Sequence, residues 1–222
     1  MAASHALLLD LDGVVFRHPA AFARIHARVT KFVATRVPNT CAHMEVHEAL
    51  YRSHGHTLLG LRDTLGDTST IAEFNRFVFD AAFIEEVRRI PRPNETELHS
   101  AAVRRLVAFA TQRHVDVYIF TNAPRNWVNY ALSTTGLAST FEPQRVLVGE
   151  ELGYLKPQHE AYAAVEERVR AARITFVDDS LINLVSAPPN AERWCPVLFD
   201  PKGTHACRHV AHDLDDVRKL LL

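Results

Sequence analysis

Five short runs of Val, Ile, Leu and Phe fix the kind of fold this chain can form. They are ALLLD at 6–10, VDVYIFT at 115–121, RVLV at 145–148, ITFVD at 174–178 and PVLF at 196–199. They are nearly continuous in apolar residues, not alternating. A strand covered on one face alternates; a strand buried on both faces of a parallel sheet does not. Helical patterns lie between the runs. Leu98, Ala102, Leu106 and Phe109 recur at helical spacing, as do Ala161, Val165 and Val169, and a last helix carries Leu214, Val217 and Leu221. Strand and helix in alternation predict an α/β fold with a doubly wound parallel sheet.

One connection breaks that rhythm. A crossover needs only a helix and two short loops, yet about eighty residues part the first strand from the helix that starts near Glu97. The intervening stretch has helical stripes of its own, Phe22, Ile25, Val29 and Phe32, then Phe74, Phe77 and Val78. The segment IPRPN at 90–94 carries two prolines that disfavour helix, which suits a return linker. The expected organisation is an α/β core of 1–17 and 93–222, with a helical insert of 18–92.

The strand ends carry unusual chemistry. LLLDLDGVVF at 7–16 reads as a buried strand that ends in two carboxylates, and unpaired buried charge is costly. In open α/β sheets ligands bind beyond the C-terminal strand ends. There this chain offers Asp10 and Asp12, then Thr121 and Asn122, then Lys156 before Pro157, then Asp178, Asp179 and Ser180. Phosphoryl transfer needs an in-line nucleophile, neutralisation of the phosphoryl oxygens and a proton for the leaving group. A carboxylate such as Asp10 can be the nucleophile, and Asp12 can give and take the proton. Gly13 permits the turn that brings both to one place. Thr121 can bond a phosphoryl oxygen, and Lys156 can neutralise one and hold Asp10. Asp10, Asp178 and Asp179 repel one another unless a cation sits among them, and Mg²⁺ suits such oxygen ligands. Asp178-Asp179-Ser180 also has the composition of a helix N-cap.

Composition narrows the partners. The formal net charge of -1 and the lack of a basic block give no electrostatic footprint for nucleic acid. No apolar run is long enough to span a membrane. The start, MAASHALLLD, lacks the basic region of a secretory signal. Cys41, Cys195 and Cys207 are scattered, which predicts a reduced cytoplasmic protein without structural disulfides. His43 with His47, and His205 with His209 near Cys207 and His212, have metal-ligand spacing but no complete zinc set. They read as packed or solvated histidines. Trp127 and Tyr130, at helical spacing, read as core.

The motifs DLDGV (10–14), IFTNA (119–123), LKP (155–157) and FVDDS (176–180) resemble, in order and spacing, the haloacid dehalogenase-like superfamily. The resemblance covers about 1–17 and 95–200. It implies Asp10 as nucleophile, Asp12 as acid/base, Thr121 and Lys156 in the phosphate site, and Asp178 and Asp179 as the Mg²⁺ anchor. Asp179 is implied as the direct ligand, Asp178 partly through water, with the Asp12 carbonyl as a further ligand. The insert resembles that family's helical cap. Dehalogenase members lack the second carboxylate, so Asp12 implies phosphate chemistry. Phosphatases often have Thr where this chain has Val14, which leaves another small-molecule phosphatase or a sugar-phosphate mutase as the alternative, with a catalytically idle binding protein behind both.

Within the family, Tyr51-Arg-Ser-His-Gly-His-Thr-Leu-Leu-Gly-Leu61 and Phe74-Asn75-Arg76 resemble the cap of the pyrimidine 5′-nucleotidases, as do Arg125 and Asn126 after FTNA. That branch usually has Asn and Thr in place of Gly13 and Val14. The resemblance implies a small phosphorylated metabolite as partner, a nucleotide, with His56 and Thr57 touching the nucleoside and Asn122 and Arg125 on the substrate side.

Overall fold

The computed structural model describes residues 4–39, 41–188, 190, 192–205 and 209–222. The chain divides into two compact units, Met1–Arg17 with Asn94–Leu222, and His18–Pro93. In chain order β1 (His5–Leu9) is followed by five helices, α1 (Pro19–Arg36), α2 (His43–His54), α3 (Thr57–Leu65), α4 (Ile71–Val78) and α5 (Ala81–Arg88). The α/β part then continues with α6 (Asn94–Gln112), β2 (Val115–Thr121), α7 (Arg125–Thr134), β3 (Val146–Val148) and α8 (Gly149–Leu152). It closes with α9 (His159–Val169), β4 (Arg173–Asp178), α10 (Leu181–Val185), β5 (Trp194–Phe199), β6 (Val210–Ala211) and α11 (Leu214–Lys219).

The six strands form one parallel sheet in the order β3-β2-β1-β4-β5-β6. Strand β1 lies at its centre, with Leu9 opposite Ile119 on one side and Val177 on the other. The order in which strands are added reverses beside β1, the place where α/β folds bind ligands. Ala6, Leu7, Leu8 and Leu9 are fully buried, as an apolar run on both faces requires. Beneath one face Leu8, Phe120, Phe176 and Trp194 pack with Ala161, Tyr162 and Val165 of α9. On α6, which packs on β2 and α11, the inward stripe is Thr96, Ser100, Val103, Leu106 and Ala110.

Two sequence expectations need correction, and one strand was not foreseen. Leu98 is 72% exposed, because α6 starts at Asn94 and its phase is set by Val103 and Leu106, with two hydroxyl residues on the buried side. Ser100 meets that burial by donating to the Thr96 carbonyl at 2.7 Å. Phe109 is only half-buried and stacks under the Arg113 and Arg218 guanidinium groups. Strand β6 was hidden in the sequence, since two residues give no periodicity to read.

The helical unit is built on its own caps. Thr70 and Glu73 form a reciprocal capping box at the start of α4, and Asp80 caps α5; each satisfies N–H groups that a helix start leaves orphaned. Helix α2 packs on α3 so closely that a Cβ at Gly60 would lie 2.8 Å from Leu50 Cβ. His47, 3% exposed, lies 2.9 Å from the His26 ring and 2.8 Å from the Thr57 hydroxyl. Burial, and then the His26 charge, hold its pKa down at about 4. An unfolded His takes a proton near pH 6.5, whereas folded His47 refuses it until about 4. Its contribution is therefore complete above pH 6.5 and lost as the pH falls toward 4, in total on the order of 3 kcal/mol. Urea unfolding of wild type between pH 7 and pH 4.5 is expected to show that loss, and His47→Gln to show a shallower slope. Parallel slopes would mean that His47 does not contribute to the acid sensitivity, leaving it to His56, whose pKa burial also holds down at about 4. His43 bonds the Val37 carbonyl and His205 bonds Asp200, while Cys207 lies outside the described residues. Among the described residues the one group of carboxylate, His or Cys side chains placed to hold a metal is Asp10, Asp178 and Asp179.

Candidate active site

The site gathers at the C-terminal edge of the sheet, within the α/β unit. Asp10 follows β1, and its Oδ1 accepts a hydrogen bond from the Leu11 N–H at 2.8 Å. Beyond it the chain closes a tight loop. Val15 and Phe16 N–H groups donate to the Leu11 carbonyl, and Gly13 N–H donates to the Phe16 carbonyl at 2.9 Å. Helix α6 pins that loop: the His99 ring Nε2 lies 2.7 Å from the Val14 carbonyl, and the Thr96 hydroxyl donates to the Arg17 carbonyl at 3.1 Å. Gly13 has φ +86°, and a Cβ there would fall 2.0 Å from Asp179 Oδ2. Only glycine lets the first motif lie against the fourth.

Lys156 is the centre of charge. It is 1% exposed and its ammonium forms ion pairs with Asp10 Oδ1 at 2.9 Å and Asp178 Oδ2 at 2.6 Å. It also donates to the Phe120 carbonyl at 2.9 Å. An ammonium has three protons, and these three acceptors use them. Lys156 thus offers an anion its charge, while its hydrogen bonds hold Asp10 and Asp178. Burial opposes the Lys156 charge, but Asp10 and Asp178 outweigh it and raise the pKa above the ordinary range. Asn122 fixes the lysine backbone: its Nδ2 donates to the Lys156 carbonyl, and its Oδ1 accepts from the Lys156 N–H, both at 2.8 Å. Expected on the substrate side, Asn122 has its amide committed at both ends to this clamp.

Asp178 is fully buried. Besides Lys156 it accepts from the Ser180 N–H at 2.8 Å and from Asn183 Nδ2 at 3.1 Å. Ser180 makes no side-chain cap at α10; the carboxylate of Asp178 does the turn-closing job expected of it. Asp179 is more open to solvent, yet crowding by protein, then the Asp178 charge, push its pKa up to about 7. Asp10 is raised well above the carboxylate range by burial and by Asp178 and Asp179, against the pull of Lys156. Burial lifts Asp12 to about 6, opposed by a hydrogen bond from Trp127 and by Lys156. The indole Nε1–H donates to both Asp12 oxygens, at 2.9 and 3.1 Å. Thr121, 2% exposed, accepts from the Ala123 N–H at 3.0 Å, which leaves the hydroxyl its own proton to give.

Asp10, Asp178 and Asp179 each put an oxygen within 4.8 Å of the others. Three carboxylates around one lysine leave uncompensated negative charge, and two of the three have raised pKa values. An all-oxygen anionic donor set of this size fits a hard divalent cation such as Mg²⁺.

The other expected site residues stand elsewhere. Arg125 opens α7 and is held by Glu151, at 2.8 and 2.6 Å, and by the Val146 carbonyl at 2.9 Å. His56 and Thr57 belong to the helical unit. His56 Nδ1 accepts from the Leu58 N–H as the N-cap of α3, and its ring meets Phe74 edge-on at 5.1 Å. Thr57 bonds His47. Trp127 and Asn183 were not singled out as functional from the sequence; an indole at helical spacing looks like core, and Trp127 is indeed fully buried.

The sequence profile of the haloacid dehalogenase-like hydrolases matches residues 5–187. No curated protein matches the chain significantly by sequence. The HAD-hydrolase YfnB from Bacillus subtilis, solved with magnesium bound, is 18% identical with a TM-score of 0.57, covering 99% of each chain. A HAD phosphatase from Thermococcus onnurineus is 18% identical with a TM-score of 0.60, covering 98% of this chain and 97% of its own. The L-2-haloacid dehalogenase from Xanthobacter autotrophicus is 14% identical with a TM-score of 0.57, covering 98% of each chain. Identities this low speak for the fold alone.

Proposed function

The chain belongs to the haloacid dehalogenase-like hydrolases, and from that premise we propose that it is a Mg²⁺-dependent phosphomonoester hydrolase working through an aspartyl phosphate. The observation that carries the reading is Asp12. A halide leaves without a proton, whereas an alkoxide needs one, and Asp12 stands two residues beyond Asp10 with a carboxyl group whose pKa is pushed up to about 6.

In the first step a carboxylate oxygen of Asp10 attacks phosphorus in line, the bond to the ester oxygen breaks, and Asp12 protonates the departing oxygen. In the second, water attacks phosphorus, Asp12 takes its proton, and the bond to Asp10 breaks to release phosphate. Lys156 holds Asp10 in place throughout, and Thr121 donates its hydroxyl proton to a phosphoryl oxygen. Mg²⁺, held by Asp10, Asp178 and Asp179, would supply the positive charge that lets an anionic carboxylate approach an anionic phosphate.

The substrate read from the helical unit is a nucleoside 5′-monophosphate, pyrimidine ahead of purine. Supporting it are the 51–61 pattern and the meeting of its members: His56 on Phe74, and Thr57 on His47. The sugar-phosphate mutase alternative rests on Val14 and predicts isomerised product without free phosphate. The test is phosphate release from UMP, CMP, dTMP, AMP, GMP, phosphoglycolate and hexose phosphates. Release is expected to favour UMP, CMP and dTMP, to stop with EDTA and to return with excess Mg²⁺. A sugar-phosphate preference would remove the nucleotidase assignment. No release from any ester would remove the hydrolase reading itself.

A further inference from the structure

Trp127 has no place in the reaction as described so far, yet it holds the one group that handles protons. We propose that Trp127 is the positioning residue of the Asp12 acid/base, fixing which carboxyl oxygen faces the ester. The inference rests on the phosphomonoesterase reading of the Asp10 site.

An indole N–H is a donor that neither accepts nor titrates, so its only service to a carboxyl group is to hold an oxygen. In the structure it is shared between Oδ1 at 2.9 Å and Oδ2 at 3.1 Å. When Asp12 carries its proton, the indole can bond only the oxygen that lacks it. The O–H is then left on the other oxygen, free to point away from Trp127 and toward a leaving group. When Asp12 is ionised, the same donor steadies the carboxylate while its second oxygen takes a proton from water. One fixed donor thus serves both halves of the reaction.

The indole is itself fixed. It is fully buried, with Phe16 edge-on at 5.7 Å and 79°, and Tyr130 tilted at 5.1 Å and 34°. Phe16 belongs to the same loop as Asp12 and pairs with it in an isolated bridge. Trp127 stands on α7, which begins at Arg125, a short turn after Thr121 closes β2. The donor is therefore set from two sides, by the loop that carries Asp12 and by the strand end that carries Thr121. The other tryptophan, Trp194, opens β5 and donates to Glu166 at 2.7 Å, and it serves as an internal control.

The test separates positioning from packing through the leaving group. Trp127→Phe keeps an aromatic ring beside Phe16 and Tyr130 and removes the N–H together with part of the indole; the lost packing acts on both esters alike, whereas the lost N–H acts through the proton. With Mg²⁺, kcat/KM is measured on an alkyl ester (UMP, or the best ester of the panel) and on p-nitrophenyl phosphate, whose leaving group departs without a proton. Because kcat/KM stops at the first irreversible step, it reports the protonation that Asp12 supplies. The expected result is a loss of about tenfold to a hundredfold on the alkyl ester, with p-nitrophenyl phosphate within about threefold of wild type. Equal losses on both would overturn the proposal and make Trp127 a packing residue. Wild type inactive on both esters would overturn the hydrolase reading instead.

A second measurement does not depend on turnover. The chain has two tryptophans, and in ¹H–¹⁵N spectra Asp12→Asn is expected to move the indole Nε1–H signal of Trp127 and leave that of Trp194 in place. An unmoved Trp127 signal would overturn the hydrogen bond on which the proposal stands.

Discussion

Asp10→Asn is expected to end phosphate release, by a factor of about 10⁴ or more, without unfolding the protein. The amide has the shape of the carboxylate but no negative oxygen to attack phosphorus. Its stability should barely change, because two effects oppose. Lys156 keeps Asp178 at 2.6 Å and the Phe120 carbonyl at 2.9 Å but loses an anionic partner. In return a carboxylate whose ionised form is disfavoured by burial and by Asp178 and Asp179 is gone. Because Asp10 has a raised pKa in the fold, its ionised form lowers stability at neutral pH, and neutral Asn removes that cost. The measurement is phosphate release beside thermal unfolding with and without Mg²⁺. Wild type should gain stability from the ion by mass action, and Asp10→Asn should gain less. Activity within tenfold of wild type would dispose of Asp10 as nucleophile.

Lys156→Met is expected to give the largest loss of stability, about 3–5 kcal/mol. The side chain is 1% exposed and its ammonium faces a fully buried carboxylate, Asp178, and a largely buried one, Asp10. Removing one partner of a buried ion pair leaves the other uncompensated, which costs more than the pair contributed. Phosphate release should vanish with it, since Asp10 loses its tether. Urea unfolding measures the first effect. Asp178→Asn added to Lys156→Met should restore part of the stability, because it removes one of the orphaned charges, and no activity. A single-variant loss below about 1 kcal/mol would show that the lysine is not the partner on which those carboxylates depend.

The strand ends could be read because burial on both faces leaves a plain signal. Leu7 to Leu9, Ile119 to Thr121 and Phe176 to Asp178 are continuous apolar runs broken by a polar residue, and each break stands at the sheet edge where the site forms. Helix phase was harder. Leu98 resembles an inward residue in the sequence, but Thr96 and Ser100 take the buried positions because their hydroxyls find carbonyl partners at Arg17 and Thr96. Asn122, Arg125 and Trp127 show a different limit. Each is polar, or carries one polar atom, near a strand end, yet only distances tell a clamp on Lys156, a pair with Glu151 and a donor to Asp12 apart. A side chain's partner depends on loops far away in the chain, and no local pattern records it.

The central place of β1 has a consequence for how the molecule is made. Of the strands in this sheet it is the first to be made, yet its neighbours pair His5 with Val115 and with Arg173. Closing such long loops is slow and entropically costly, so an emerging chain holds Leu7, Leu8 and Leu9 without partners until β2 and β4 have been made. Exposed apolar strands of that kind invite association with other chains, and flanking charges resist it. Asp10 and Asp12 are those flanking charges. Until Lys156 and Asp178 arrive they guard the solubility of an unfinished strand, and only then become available for chemistry.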